Sequence, residues 1–103
     1  MKVFISGRYT PDGSHLTVFA EAASKIESSG NQAINPAARL PVFLERDDAI
    51  MHCFDFIRSA DAVYFLPDWK LSEGAVLERR FAEYIGKPVL RNLDTMEVGM
   101  PDD

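Results

Sequence analysis

The sequence predicts an α/β protein built on one small doubly wound sheet, with four parallel strands and helices on both faces. Four short apolar segments, of the kind that form buried strands, alternate with three longer segments whose apolar residues recur at helical spacing. Turn-forming glycine, proline and asparagine residues separate the segments. Each helical segment is long enough for a right-handed crossover between parallel strands. The resulting β-α-β-α-β-α-β order is flavodoxin- or Rossmann-like.

Local signals set the limits of each predicted element. The predicted strands are residues 3–6, 32–34, 62–66 and 88–93. The apolar stripes of the first two helices are Leu16, Phe19, Ala20, Ala23 and Ile26, then Ile50, Cys53, Phe54 and Ile57. The first helix is predicted to end at Gly30, and a third helix to run from the N-cap candidate Ser72 to Gly86. Residues 37–44 are predicted to be irregular.

Length and charge bound the domain organisation and the kind of ligand. The 103 residues, of which 47% are apolar, suffice for a single packed core. We expect this domain to span residues 1–93 and an acidic tail to occupy 94–103. The net charge of −5 argues against a polymeric nucleic acid as partner, because its backbone requires a basic surface. A small anionic ligand is still compatible, since a few local donors hold one phosphate.

Other classes of protein find no support in the sequence. No segment approaches the ~18 apolar residues of a membrane helix, and Gly7 and Arg8 interrupt an N-terminal apolar stretch too short for a signal peptide. We therefore expect a cytoplasmic protein without a membrane partner. The single Cys53 excludes an internal disulfide, and His15 and His52 are too far apart for zinc-site spacing. No metal and no organic cofactor are expected.

The predicted topology indicates where a ligand would bind. In doubly wound sheets the ligand lies beyond the carboxyl ends of the strands, near the point where the strand order reverses. The loops predicted at that edge are residues 6–13 and 67–74 and the segments that begin at Asn35 and Asn92. We expect the first and third strands to contribute most, because their loops carry the most reactive side chains.

Glu78 is the strongest candidate for a functional residue. Helical spacing places it on the same stripe as Ala82, which should pack on the sheet. A carboxylate on an apolar stripe must be paired, hydrogen-bonded or neutral, because burial of a bare charge is too costly. Two interpretations remain open: a structural ion pair with Arg8, Arg79 or Arg80, or a nucleophile or base at the rim of the sheet.

Four motifs together give the chain a resemblance to a known superfamily. They are Ile5-Ser6-Gly7, Asn35-Pro36-Ala37, Asp61-Ala62-Val63 and Leu66-Pro67-Asp68-Trp69-Lys70-Leu71-Ser72-Glu73-Gly74-Ala75-Val76-Leu77-Glu78. With these motifs the chain resembles the nucleoside 2-deoxyribosyltransferase-like superfamily, and within it a small phage and bacterial branch. The resemblance covers residues 2–93, and the last motif is the most specific.

The resemblance implies cleavage or transfer of the N-glycosidic bond of a nucleoside or nucleoside monophosphate. Glu78 occupies the position of the glutamate that attacks the anomeric carbon in characterised members. Ser72 occupies the position of a serine that binds the 5′-phosphate, and Gly7 and Arg8 match the loop that provides further donors. Because members complete each site with residues of a neighbouring subunit, a homodimer or larger homo-oligomer is also implied.

Two departures from the pattern leave a second function open. Characterised members have a tyrosine on the first strand where this chain has Phe4. They also have an aspartate that protonates the departing base, where this chain has Cys53. Asp68, in the loop after the third strand, is our candidate for a second catalytic residue. The alternative function is a non-catalytic module that binds or sequesters a nucleotide in the same pocket.

The remaining candidates are predicted to surround the pocket. Three aromatic residues are expected to frame the base: Phe4, Tyr9 and Trp69. Gly74 leaves backbone amides accessible at the start of the third helix, where a phosphate would bind. Asn35 either contacts the ligand or orders its own loop, and Asp61 either contacts the ligand or fixes the first loop. Ser72 is compatible with both an N-cap and a phosphate contact.

Overall fold

The computed structural model describes residues 1–101 as a five-stranded sheet with helices on both faces. The strands are β1 (Lys2–Ser6), β2 (Gln32–Ile34), β3 (Ala62–Phe65), β4 (Val89–Asn92) and β5 (Glu97–Gly99). The helices are α1 (His15–Ser28), α2 (Pro36–Arg39), α3 (Arg46–Ser59) and α4 (Glu73–Ile85), with a 3₁₀ turn at Trp69–Leu71. Within the described range, no helix is long and apolar enough to cross a lipid bilayer.

The strand order β2-β1-β3-β4-β5 confirms the predicted doubly wound arrangement. β1 pairs in parallel with both β2 and β3, and β3 pairs in parallel with β4. The chain moves from β1 to one side for β2 and to the other side for β3. The order therefore reverses at β1, and the carboxyl ends of β1 and β3 form the point at which ligands bind in such sheets.

The predicted number of four strands is wrong by one. After β4, the Asn92 side chain accepts hydrogen bonds from the backbone N–H groups of Asp94 (2.8 Å) and Thr95 (3.1 Å), and the chain turns. It returns as β5, antiparallel to β4, with Leu90 opposite Val98. The predicted acidic tail thus includes an edge strand, and residues 102 and 103 of that tail lie outside the described residues.

A short helix also occupies part of the segment that was predicted to be irregular. The Asn35 side chain accepts a hydrogen bond from the Ala37 backbone N–H at 3.1 Å, which caps α2. Pro36 follows as the first helical residue, where its fixed φ angle favours a helix and its missing N–H costs nothing. The irregular part of the connection to α3 is consequently shorter than predicted.

The core consists of two apolar layers, one on each face of the sheet. The layer against α1 contains Val3, Ile5, Phe19, Ala22, Ile26, Ala33, Leu66 and Leu90. The layer against α3 and α4 contains Phe4, Ile34, Cys53, Ile57, Ala60, Val63, Phe65, Ala82 and Val89. Because side chains alternate along a strand, Phe4 and Ser6 both project toward α3 and α4. This alternation places a serine hydroxyl under the first turns of α4.

Candidate active site

A cleft of about 970 Å³ opens at the carboxyl ends of β1 and β2. Its walls are the loop after β1, the connection between α2 and α3, and the N-terminal halves of α3 and α4. Most of its surface is apolar, and its polar side chains include Arg8, Thr10, His15, Arg46, Asp47 and Ser72. A largely apolar cleft of this volume with a few converging polar groups is typical of a small-molecule site.

Glu78 is buried at the wall of this cleft. Its side chain lies in the second turn of α4 and is 7% exposed. The Ser6 hydroxyl donates a hydrogen bond of 2.6 Å to Glu78 Oε1, and the Cys53 thiol donates a second one to the same carboxyl group. Burial raises the pKa of Glu78 to about 7, although both hydrogen bonds act in the opposite direction. The carboxyl group therefore titrates near neutral pH.

The interpretation of Glu78 as half of a structural ion pair is wrong. Within residues 1–101, none of the ion pairs includes Glu78. Arg79, the adjacent arginine, instead pairs with Glu83 at 3.0 Å and stacks its guanidinium on Phe65 and Trp69. Glu78 is thus a buried acid satisfied by neutral donors, beside open space.

Two neighbours of Glu78 remain protonated at neutral pH. Burial raises the pKa of the Cys53 thiol, and the Glu78 carboxylate raises it further. Burial also raises the pKa of Tyr9, with smaller contributions from Cys53 and Glu78. Cys53 and Tyr9 are therefore uncharged near pH 7, and Glu78 is the one of these three groups that ionises there.

The residues at the start of α4 cap the helix and also line the cleft. The Ser72 hydroxyl accepts a hydrogen bond from the Ala75 N–H at 3.1 Å, which confirms the predicted N-cap, and Ser72 also lines the cleft. Gly74 lines the cleft as well, and a methyl group in place of its hydrogen would approach only the Ser72 hydroxyl, at 3.8 Å. The helix N-terminus is therefore accessible to an anion.

The loop after β1 brings three predicted residues to the cleft: Gly7, Arg8 and Tyr9. Gly7 lies so close to Leu66, the residue after β3, that an added methyl group would be 2.5 Å from Leu66 Cδ1 and 2.9 Å from Leu66 Cβ. Only glycine permits this approach, which starts the loop on its path along the cleft. Arg8 and Tyr9 then follow on the surface of the cleft.

Two predicted site residues lie away from the cleft, one inside the core and the other at the amino ends of the strands. Phe4 is fully buried in the layer against α3 and α4, 6.1 Å from the ring of Phe56, and it does not line the cleft. Asp61 precedes β3 and accepts a hydrogen bond of 2.7 Å from the Lys2 backbone N–H, at the opposite edge of the sheet. We therefore withdraw both as substrate-binding residues.

Three more predicted residues have structural roles outside the cleft lining. Asn35 caps α2, which agrees with the interpretation that it orders its own loop. The backbone carbonyl of Asp68 closes the 3₁₀ turn by accepting from the Leu71 N–H at 3.0 Å. Trp69 packs on Phe65, with 5.6 Å between ring centroids. The turn after β3 therefore contributes neither Asp68 nor Trp69 to the cleft lining, which the loop sequence did not indicate.

Sequence reasoning missed several residues that the fold brings to this region. Ser6 contacts Glu78, and its period-two relation to the buried Phe4 could have indicated its face. His15 stacks on Tyr9, with ring centroids 4.4 Å apart, and its Nδ1 accepts from the Thr10 N–H at 3.1 Å. That hydrogen bond favours the neutral tautomer with its proton on Nε2. The i, i+4 spacing between His15 and Phe19 was the sequence signal that could have placed His15 on the same face of α1 as Phe19.

The described residues offer no evident metal site. Residues 1–101 contain no group of three histidine, cysteine, aspartate or glutamate side chains arranged to hold a metal ion. The polar groups of the cleft include cations, hydroxyls and backbone amides, which suit sugar and phosphate oxygens. Its acids are the buried Glu78 and the exposed Asp47 and Glu73.

The chain has a nucleoside 2-deoxyribosyltransferase-like fold. A model of the family described as a domain of unknown function, DUF4406, matches residues 1–91, and the chain belongs to this family. Comparison with the curated proteins gave no match.

Solved structures share the fold at low identity. The CMP N-glycosidase of Clostridium botulinum is 19% identical, with a TM-score of 0.64 over 86% of this chain and 66% of that one. The 2-deoxyribosyltransferase of Bacillus psychrosaccharolyticus is 16% identical, with a TM-score of 0.68 over 86% and 69%. A conserved protein of Enterococcus faecalis is 15% identical, with a TM-score of 0.71 over 86% and 60%. The chain thus spans less than two thirds of the first and third of these.

Proposed function

We propose that the protein cleaves or transfers the N-glycosidic bond of a (deoxy)nucleoside or nucleoside monophosphate, with Glu78 as the nucleophile. The observation that supports this best is a carboxylate that is 7% exposed, held by a 2.6 Å hydrogen bond from Ser6, beside a cleft of nucleotide size. Burial of an acid without a cationic partner costs stability, and that cost is typical of groups retained for their reactivity.

The proposed reaction proceeds in two steps. A carboxylate oxygen of Glu78 attacks the anomeric carbon, so that a C–O bond forms while the C–N bond to the base breaks. The base leaves with the electron pair of that bond and takes up one proton. Water or a second base then attacks the same carbon and displaces the carboxylate. The negative charge of Glu78 also stabilises the positive charge that develops on the sugar.

The remaining polar groups of the cleft suit the other parts of a nucleotide. Arg8 gives the cleft one positive charge, and Arg46 adds a second that is paired with Glu73 at 2.8 Å. The α4 N-terminus offers backbone amides beside Ser72. These groups fit a 5′-phosphate. Tyr9 and His15 provide a stacked aromatic surface for a base. The CMP N-glycosidase among the structural neighbours supports a nucleoside monophosphate as the substrate.

A non-catalytic nucleotide-binding module is the second candidate function. It is favoured by the position of Asp68 outside the cleft lining and by Cys53 in place of an aspartate, since neither position then provides a carboxylic proton donor for the departing base. Calorimetry distinguishes the two functions. A binding module releases heat on titration and returns the nucleotide intact, whereas the proposed enzyme converts it to free base.

The direct test is a panel of deoxynucleosides, ribonucleosides and their monophosphates, analysed for free base by chromatography. The wild type should release base from at least one member, and Glu78→Gln should release none above background. Glu21→Gln makes the same chemical change on the exposed face of α1 and should retain full activity. Absence of base release by the wild type across the panel would remove the enzymatic proposal.

We also propose that the chain works as a homo-oligomer. The connection between α2 and α3 exposes two large apolar side chains, Val42 (97%) and Phe43 (82%), next to the cleft. Leu71 and Leu77 are also exposed on the other wall. An apolar surface concentrated around a binding site is typical of a protein interface.

A further inference from the structure

Ser6 has an unusual position for a serine, because its hydroxyl is inside the protein. The residue ends β1 and is 1% exposed, and it does not line the cleft. Its hydroxyl nevertheless donates a hydrogen bond of 2.6 Å to Glu78 Oε1. The hydrogen bond thus reaches the carboxyl group from the protein side, whereas the cleft lies on the other side of the same group.

The backbone around Ser6 fixes where this hydroxyl lies. Ser6 pairs with Phe65 in the register between β1 and β3, and its carbonyl accepts from the Leu66 N–H at 2.8 Å. The next residue, Gly7, is in close contact with Leu66. A strand position paired with β3 gives the donor less freedom than a loop position would have.

We propose that Ser6 is a positioning residue for Glu78: its hydroxyl holds Oε1 against the end of β1 and presents Oε2 to the cleft as the attacking oxygen. The reactive role of Oε2 depends on the proposed function. The effect of the Ser6 hydrogen bond on the Glu78 carboxyl group does not depend on the proposed function, and it can be measured without a substrate.

The hydrogen bond has a second consequence for the charge of Glu78. A donor to a carboxylate stabilises the ionised form, and in this site it opposes the effect of burial. Cys53 and Tyr9, which face the same carboxyl group from α3 and from the loop after β1, remain protonated near neutral pH. Without the Ser6 hydroxyl, more of the Glu78 population would be protonated and inactive at pH 7.

Other ionisable groups of the cleft must be separated from Glu78 in any pH experiment. Arg8 and Arg46 stay charged throughout. His15, Asp47 and Glu73 are further ionisable side chains that line the cleft. The readout must therefore report on the Glu78 carboxyl group itself.

The first experiment is a pH titration of the Glu78 side-chain carboxyl carbon by NMR in ¹³C-labelled protein. Its signal is assigned by its absence from Glu78→Gln. In Ser6→Ala the midpoint should rise by about one to two pH units, the loss expected for a hydrogen bond to a charged group. Ser6→Cys, a weaker donor of similar size, should give an intermediate midpoint. Ser24→Ala, on the exposed face of α1, should leave it unchanged.

The second experiment is the pH profile of kcat/KM for any substrate found in the panel. Ser6→Ala should shift the acidic limb by the same amount as the NMR midpoint and lower kcat more than KM, because orientation of the attacking oxygen matters most in the transition state. A Ser6→Ala protein that is folded by circular dichroism and keeps the wild-type NMR midpoint would overturn the proposal. If the wild type releases no base, the proposed function fails, while the NMR titration still decides whether Ser6 controls Glu78.

Discussion

At the scale of single residues, Glu78 explains most of what distinguishes this site. The sequence indicated an acid on an apolar helical stripe, and the structure shows that it is satisfied by Ser6 and Cys53 and is not neutralised by an arginine. Its pKa is about 7, because burial outweighs the two hydrogen bonds. Such an acid is mostly ionised above that pH, as the proposed nucleophile must be, and mostly protonated below it.

The ionisation of Glu78 predicts the pH dependence of activity. Because the ionised carboxylate is the reactive form in the proposed reaction, kcat/KM should rise with pH through a midpoint near 7. It should be about a hundredfold lower at pH 5 than at pH 8. Initial rates of base release in buffers of constant ionic strength measure this. A profile that falls as pH rises through 7 would instead indicate a general acid.

The same pKa predicts a dependence of stability on pH. A carboxyl group whose pKa is raised from 4.5 to about 7 by folding destabilises the protein as pH rises through that interval. Glu78→Gln should therefore stabilise the protein by up to about 3 kcal/mol at pH 8 and by little at pH 5. Thermal unfolding at the two pH values, with Glu21→Gln as control, measures the difference. An equal effect at both values would contradict the assigned pKa.

At the scale of elements, the sequence predicted those parts whose signals are local. The glycines that stop α1 and α4, Gly30 and Gly86, and the cap at Ser72 are each predicted from a single residue. Both glycines follow their helices with positive φ angles, and the cap is present. It missed β5, because Glu97 and Val98 remain exposed and the strand is held by its pairing with β4. A strand with little burial has no apolar periodicity to detect.

The cap of α4 gives a prediction at this scale. Ser72→Ala removes the acceptor for the Ala75 N–H and should lower the free energy of unfolding by about 1 kcal/mol. It should also weaken binding of inorganic phosphate if the α4 N-terminus is the anion site. Chemical denaturation and a phosphate titration measure the two effects. Ser72→Asp separates them, since it keeps a cap but repels an anion.

The two glycines of the cleft give a matched pair of variants. Gly7→Ala should lower the free energy of unfolding by about 1–3 kcal/mol, because its methyl group collides with Leu66. Gly74→Ala, in the first turn of α4 with free space beside it, should be neutral or slightly stabilising. Denaturant midpoints of the two variants test this contrast, and equal midpoints would show that the loop after β1 adjusts.

At the scale of the whole molecule, the sequence predicted the topology more reliably than the site. The strand order follows from alternating elements and crossover rules, and it brings the loops after β1 and β2 to one edge. Six of the predicted residues reach the cleft there: Gly7, Arg8, Tyr9, Ser72, Gly74 and Glu78. Asp61 does not, because it precedes its strand. Asp68 and Trp69 do not, because the path of a turn is decided by tertiary packing rather than by local sequence.

The exposed apolar residues beside the cleft predict self-association. We expect a mass of at least twice the 11.5 kDa of the chain by analytical ultracentrifugation. Phe43→Asp should shift the protein toward the monomer, because it places a charge in the proposed interface. Tyr84→Asp alters an equally exposed aromatic residue near the other end of α4 and should not. A monomeric wild type at high concentration would contradict the prediction.

The role of Glu78 as a nucleophile is tested most directly by intact-protein mass spectrometry of a turnover mixture quenched in acid. With a substrate from the panel, the wild type should gain the mass of the substrate without its base, which is one sugar for a nucleoside and one sugar phosphate for a monophosphate. This mass should be located on the peptide that contains Glu78, and Glu78→Gln should gain none. Base release by a wild type that stays unmodified at every quench time, or a sugar attached to another residue, would contradict the account.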